Sequence, residues 1–405
     1  MNVINKSAFS SQNFRIYFYG NILSVVGIWV QRLSLGWHAW QLSESAFIVG
    51  LIAAAQYLPL LVLTPFFGVF ADQFQPRFSA VIMHIILMCI ALILSFLTFM
   101  NLIDVKYLFV LTLFYGIANS AYSPIRLSLI PVLVPSSQFS SAVAVTSAGF
   151  NLSRFLGPGI AGFIVTFYGL GFAYLINAIT FIPVIISLLL LKIPIINKSV
   201  KSSEGYFQQL RDGFHYTFKH KVIRSVIIIA GISSFFGRGL IELLPAFTVT
   251  TFDGGSAVLA ELMAASGLGA VVASFLYMTG KLDFKLHKAV LYGSYGMIVS
   301  CLLFAFVETI FFGILAVAMI GFFITFVAVG SQSLVQVEVA NKLRGRVSSL
   351  WTIIVLGSPA LGSLLAGSMF SKFGARATVI IFSLTCLTLL VMISWYLSYK
   401  QGKTY

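Results

Sequence analysis

A chain of 405 residues in which 59% are hydrophobic and only 9% are charged departs from soluble domains, where about a quarter of residues carry charge. That composition excludes a soluble globular protein. The formal charge of +14 does not make it a nucleic-acid binder either, because the basic residues are scattered over short loops instead of lining one soluble face among aromatic residues.

A transmembrane helix needs ~20 mostly apolar residues to cross a ~30 Å hydrocarbon core. Twelve such runs are predicted in chain order: Phe14–Leu42, Ala46–Ala71, Phe78–Leu102, Tyr107–Ile130, Phe139–Tyr168, Phe172–Leu191, Val222–Val249, Ser256–Gly280, Ala289–Val307, Ile310–Val337, Val347–Phe373 and Ala377–Tyr399. Barrel strands alternate apolar and polar residues over about ten positions, so these unbroken runs predict an all-α integral membrane protein. The first run is too long for a cleaved signal peptide and is expected to remain. Eighteen of the 25 Lys and Arg residues fall in segments on one side, against Lys106, Lys372 and Arg376 on the other. The positive-inside rule therefore places both termini in the cytoplasm.

One connection is long. Residues 194–221 begin rich in Ser and Lys and continue as Tyr206 to Phe218, where Phe207, Leu210, Phe214 and Phe218 recur at helical spacing. An amphipathic helix lying on the inner leaflet is expected there. It separates a first half (residues 1–193) from a second (222–405), two sets of six helices as in the major facilitator architecture.

The stretch GVFADQFQPR, Gly68 to Arg77, resembles motif A of the major facilitator superfamily, with Gly68 and Asp72 in place and Arg77 as its one basic residue. A looser counterpart runs from Gly280 to Lys288. The stretches Trp29–Leu61, Ser123–Pro135 and Leu343–Gly367 resemble the drug:H+ antiporter-3 branch of that superfamily, which contains a bacterial enterobactin exporter and macrolide pumps. The resemblance implies a twelve-helix fold of two pseudo-symmetric halves and an efflux function. It also implies that Gly68, Asp72 and Arg77 form a conformational gate, the alternative being that Asp72 is a solvated loop aspartate. GPGIAG, Gly157 to Gly162, resembles the exporter motif of the fifth helix. Its Gly157, Pro158 and Gly162 are expected to allow close packing and a bend.

Charge at membrane depth costs a few kcal/mol or more and is retained where it faces a wet cavity or a partner. Arg154 stands in the fifth run, Arg32 ~18 residues into the first and Arg238 ~16 residues into the seventh. The relation between halves places Arg32 and Arg238 at matching depths on opposite cavity walls, with Arg126 either a further site residue or an interfacial anchor. Glu242 follows Arg238 by four residues and is expected to pair with it, as a static salt bridge or as the proton-coupling group. The surplus of cations argues for an anionic substrate held by bidentate contacts. Gln31 and Asn151 are candidate substrate ligands, and His38 is expected at the outer interface.

No catalytic triad, metal cluster or phosphate loop stands out, so neither an enzyme nor a resident cofactor or metal is expected. The expected function is secondary transport of a small anionic organic solute, a carboxylate-type siderophore, across a bacterial inner membrane by a monomer coupled to protons, with export favoured. A multidrug or lipid exporter, an importer of the iron-loaded siderophore, and a non-transporting sensor or assembly partner stay open.

Overall fold

The computed structural model describes residues 7–73, 75–192, 206–279, 285–339 and 341–401, excluding the side chains of 65, 68–73, 206–210, 341–342 and 396–401. Six long helices come first: α1 (Gln12–Ser43), α2 (Ala46–Gln73), α3 (Pro76–Phe99), α4 (Val105–Leu133), α5 (Phe139–Tyr168) and α6 (Leu170–Leu190). The Ser11 hydroxyl accepts the Phe14 amide at 3.4 Å to open α1, and the Asp104 carboxylate accepts the Tyr107 amide at 2.8 Å to open α4. The predicted amphipathic helix follows as α7 (Tyr206–Lys219), with Phe214 and Phe218 stacked at 4.2 Å and exposed.

The seventh run departs from expectation, because it is one crossing made of four pieces. These are α8 (Lys221–Ser233), a π-helical turn (Ser234–Arg238), the short α9 (Gly239–Ile241) and α10 (Leu244–Phe252). Pro245 supplies the break: it has no amide hydrogen for the Ile241 carbonyl, and its ring crowds that carbonyl. The chain continues as α11 (Ser256–Met278), α12 (Leu286–Ala305), α13 (Ile310–Glu338), α14 (Asn341–Phe373) and α15 (Ala375–Gln401). Among the described residues there is no strand. Ten helical segments are long and apolar enough to cross a bilayer. The two spans missing from that set are α1 and α5, of 32 and 30 residues, whose apolar runs are interrupted by Gln31, Arg32, Asn151 and Arg154. Large apolar side chains such as Phe163, Phe275 and Met392 are 58%, 63% and 61% exposed, which suits a surface that faces lipid.

The internal two-fold can be read in the turns. α1 ends on Glu44 with φ 48° and α10 on Asp253 with φ 49°; α5 ends on Gly169 with φ 86° and α14 on Gly374 with φ 81°. Packing repeats in the same way, with α2 on α4 matched by α11 on α13, and α3 on α6 by α12 on α15. Between the halves, α2 lies along α14 and α5 along α11.

Toward the far side, away from the start of α1, the Phe47 amide donates to Ser371 Oγ at 3.2 Å, and the Thr166 and Ser256 hydroxyls meet at 2.8 Å. Nearer the side of the first residue, Asn151 Nδ2 donates to Ser274 Oγ at 3.1 Å. There α7 also holds the start of α14 through Arg346 and Asp212, 2.7 Å apart.

Candidate substrate site between the halves

A cavity of about 40 Å³ lies where α1, α2, α5, the seventh crossing, α11 and α13 converge, and Trp29, Arg32, Arg154, Arg238, Glu242 and Ser266 are among its lining. One water needs roughly 10–15 Å³ by this measure, so the space suits about three. Pockets for drug-sized ligands occupy roughly 300–1,000 Å³, so in this conformation the site is narrow around its charges.

Arg32 and Glu242 form an ion pair, with their side chains only 15% and 7% exposed. The pair spans the two halves. Tyr57 Oη on α2 donates to the same carboxylate oxygen at 3.2 Å. The Arg32 guanidinium lies 4.7 Å from the Trp29 ring centroid and 5.2 Å from that of Tyr57, cation–π distances that hold its plane. Arg154, 9% exposed, donates to Thr325 Oγ1 at 3.1 Å and to Ser266 Oγ at 3.2 Å, and lies 5.8 Å from the same Trp29 ring. Arg238 lines the cavity at the end of the π-helical turn, with no hydrogen bond or ion pair from its guanidinium among the described residues.

The expected pairing of Arg238 with Glu242 is therefore corrected, since the carboxylate goes to Arg32. Position along the crossing explains the exchange. Measured back from the matching left-handed caps, Arg32 stands twelve residues before Glu44, Glu242 eleven before Asp253, and Arg238 fifteen before Asp253. At 1.5 Å per residue, Glu242 shares Arg32's level and Arg238 lies about a turn deeper. Arg154, fifteen residues before Gly169, shares the level of Arg238.

Other expected site residues are placed elsewhere. Gln31 is fully buried and accepts from Asn177 Nδ2 on α6, and Asn151 ties α5 to α11; neither is among the cavity lining. Arg126 is one helical turn beyond Tyr122, whose hydroxyl meets that of Tyr17 at 3.4 Å, also outside the cavity lining. Arg77 donates through Nε to the Leu188 carbonyl at 2.8 Å and through Nη2 to that of Leu189, contacts that close the end of α6 within the first half and do not cross the seam. The side chains of Gly68 and Asp72, and residues 280–284, lie outside the described residues. A Cβ on Gly157 would overlap Trp29 Cβ, and one on Gly162 would overlap Ala260 Cβ. Those glycines thus let α5 meet α1 and α11, with Pro158 buried beside them. His38, expected at the interface, is 5% exposed and meets Tyr174 Oη at 3.1 Å.

Trp29, Tyr57, Ser266 and Thr325 were not anticipated by the sequence reading. For Trp29 a signal existed: it precedes Arg32 by three residues, the spacing that stacks side chains on one helix face.

Residues 5–404 match the family described as transmembrane secretion effector. The chain is 24% identical over 385 residues to the staphyloferrin A transporter of Staphylococcus aureus, covering 93% of this chain and 94% of that one. It is 22% identical to the enterobactin exporter EntS of Salmonella typhimurium (94% and 91% covered) and 18% identical to macrolide efflux protein A of Streptococcus pyogenes (90% and 92%). Among solved structures, a bacterial homolog of the human lysosomal transporter Spinster, inward-facing and unoccupied, superposes with TM-score 0.75 at 14% identity, covering 96% of this chain and 97% of that one. These likenesses to solved structures establish the fold.

Proposed function

The chain belongs to the transmembrane secretion effector family of major facilitator transporters, and we propose that within it the protein moves a small anionic organic solute, a carboxylate-type siderophore, across the bacterial inner membrane. Its members are transporters, not enzymes. The observation that carries the anionic reading is the cavity itself, where Arg32, Arg154 and Arg238 face the single carboxylate of Glu242. Two relatives named for siderophores support the solute class, and the name of one of them, the enterobactin exporter, favours export. Both termini are assigned to the cytoplasm on the Lys and Arg distribution.

The bridge between halves supports an alternating-access reading. Arg32 on one half holds Glu242 on the other, so the two walls are attracted at that level when the cavity is closed. An entering carboxylate meets Arg154 and Arg238 first, because their N–H groups carry no charged partner among the described residues. It then competes with Glu242 for Arg32, loosening the bridge and freeing the Glu242 carboxylate to accept a proton. Opening to one side or the other is thereby tied to occupancy.

The test is solute distribution in cells lacking and overproducing the protein, grown in iron-starved medium with both sides of the membrane analysed. Overproduction should raise the external siderophore. Arg238→Gln should reduce that export at unchanged protein level, and Arg238→Lys should restore only part of it, since the planar fork is lost. Equal export by the Gln variant would reject the anionic cavity. A second reading, multidrug efflux, is favoured by the apolar part of the lining, Leu33, Ile241, Met263 and Ile324 beside Trp29, and by the macrolide relative. Under that reading Arg238→Gln leaves export of neutral compounds unchanged.

A further inference from the structure

The polar groups that line the cavity are mostly donors. Arg154 gives its hydrogen bonds to two neutral hydroxyls, and Arg238 has no hydrogen-bonded or ionic partner among the described residues. Trp29 Nε1 and Arg32 Nε are buried and donate to nothing. Both are groups that can only donate. The one carboxylate in the lining is already engaged by Arg32 and Tyr57. Arg154 and Arg238 also share a level about a turn below the bridge, so the upper layer of the cluster is neutralised and the lower one is doubly positive.

Charge of that kind persists at membrane depth only with a counter-charge or abundant water. About 40 Å³ leaves room for roughly three waters, which supply acceptors but no charge. An organic anion is too large for a cavity of that volume. A small inorganic anion meets both demands, since it accepts from convergent N–H donors and cancels a charge within the available space.

We propose that the lower layer is a binding site for a small inorganic anion, chloride in the simplest case, held by Arg154, Arg238 and the Trp29 indole in the closed form and displaced when the organic anion enters. The displacement rests on the transport reading given above; the ion site itself does not. Transport of the organic anion would then be an exchange for, or be inhibited by, chloride on the side from which the organic anion loads.

The test uses the full-length protein in nanodiscs, with thermal unfolding followed while sodium chloride, sodium bromide or sodium phosphate replaces sodium isethionate at constant ionic strength. A saturable rise in melting temperature is expected with at least one of the three, and comparing them identifies which ion fits. Arg238→Gln should weaken the apparent affinity at least tenfold and Trp29→Phe, which keeps the ring but removes the N–H, severalfold. Lys372→Gln, a surface cation, should leave the curve in place. Should Arg238→Gln not yield folded protein, Trp29→Phe carries the comparison. Citrate serves as the organic probe, and chloride should raise its apparent Kd in proportion to site occupancy. Curves identical for all salts would overturn the ion site, as would shifts equal in wild type, Arg238→Gln and Trp29→Phe. If citrate binds while every inorganic ion is inert, the ion site fails and the transport reading stands; if chloride stabilises and no organic anion binds, the ion site stands and the transport reading falls.

Discussion

Glu242→Gln keeps the shape of the side chain and removes the only counter-charge that Arg32 touches. Two unit charges ~4 Å apart in an effective dielectric of ~20 attract by about 4 kcal/mol. The side chains are 15% and 7% exposed, which places the pair near the buried limit, where removing one partner costs about 3–5 kcal/mol. Glu242→Gln is therefore expected to destabilise the protein by about 3 kcal/mol, with Arg154 and Arg238 adding repulsion to the stranded Arg32. Arg32→Gln should cost a similar amount. The double variant Arg32→Gln/Glu242→Gln should cost far less than their sum, a coupling of about 3 kcal/mol. The companion cycle, Arg238→Gln with Glu242→Gln, should show a clearly smaller coupling than the Arg32 cycle, since these two share a cavity but do not pair. Detergent-solubilised protein can be heated at one temperature and the folded fraction followed by size-exclusion chromatography. At ~1.4 kcal/mol per tenfold in rate, the Arg32 cycle predicts non-additivity of about 100-fold in inactivation rate. Additive Arg32 and Glu242 variants beside a strongly coupled Arg238 pair would refute the assigned bridge.

Further outcomes follow from the same geometry. Gly157→Ala drives a Cβ into that of Trp29 and should cost about 1–3 kcal/mol along with substrate affinity. Gly159→Ala, with open space at its Cβ, should be neutral or slightly stabilising in the same heating assay. Glu242→Gln should retain solute exchange across proteoliposomes but lose accumulation driven by a pH gradient, and full proton-driven accumulation would remove Glu242 from the coupling role. Asp72→Asn should change cysteine labelling at the two cavity mouths in opposite directions; unchanged labelling at both would return Asp72 to an ordinary loop aspartate.

Length and hydropathy made the twelve crossings legible, because lipid demands a continuous apolar run and little else in a sequence imitates one. The amphipathic α7 was legible for the same kind of reason, its phenylalanines recurring at helical spacing before any contact is known. Arg154 could be singled out as a charge that must face a cavity. Gln31 and Asn151 could not be sorted in that way. An amide inside a span is stable either in a wet cavity or against another amide or hydroxyl, and only the packing of α1 on α6 and of α5 on α11 decides between them. Trp29 and Tyr57 were hidden because aromatic residues are common in spans, and their role comes from the guanidiniums they support.

The partner of Glu242 failed for a different reason. The i, i+4 spacing of Arg238 and Glu242 allows a pair on one helix face, but Arg32 on the other half takes the carboxylate, and the spacing within one helix carries no information about a partner across the seam. Glu44 and Asp253, which take the same left-handed backbone at φ 48° and 49°, mark the equivalent far ends of the two crossings. From there the cluster resolves into two layers, an attractive one of Arg32 with Glu242 and a repulsive one of Arg154 with Arg238. The pairing of an intact α1 with a broken counterpart is what sets opposite charges at one level across the seam. It also leaves Arg154 and Arg238, two like charges, on the wall of one cavity at the next level.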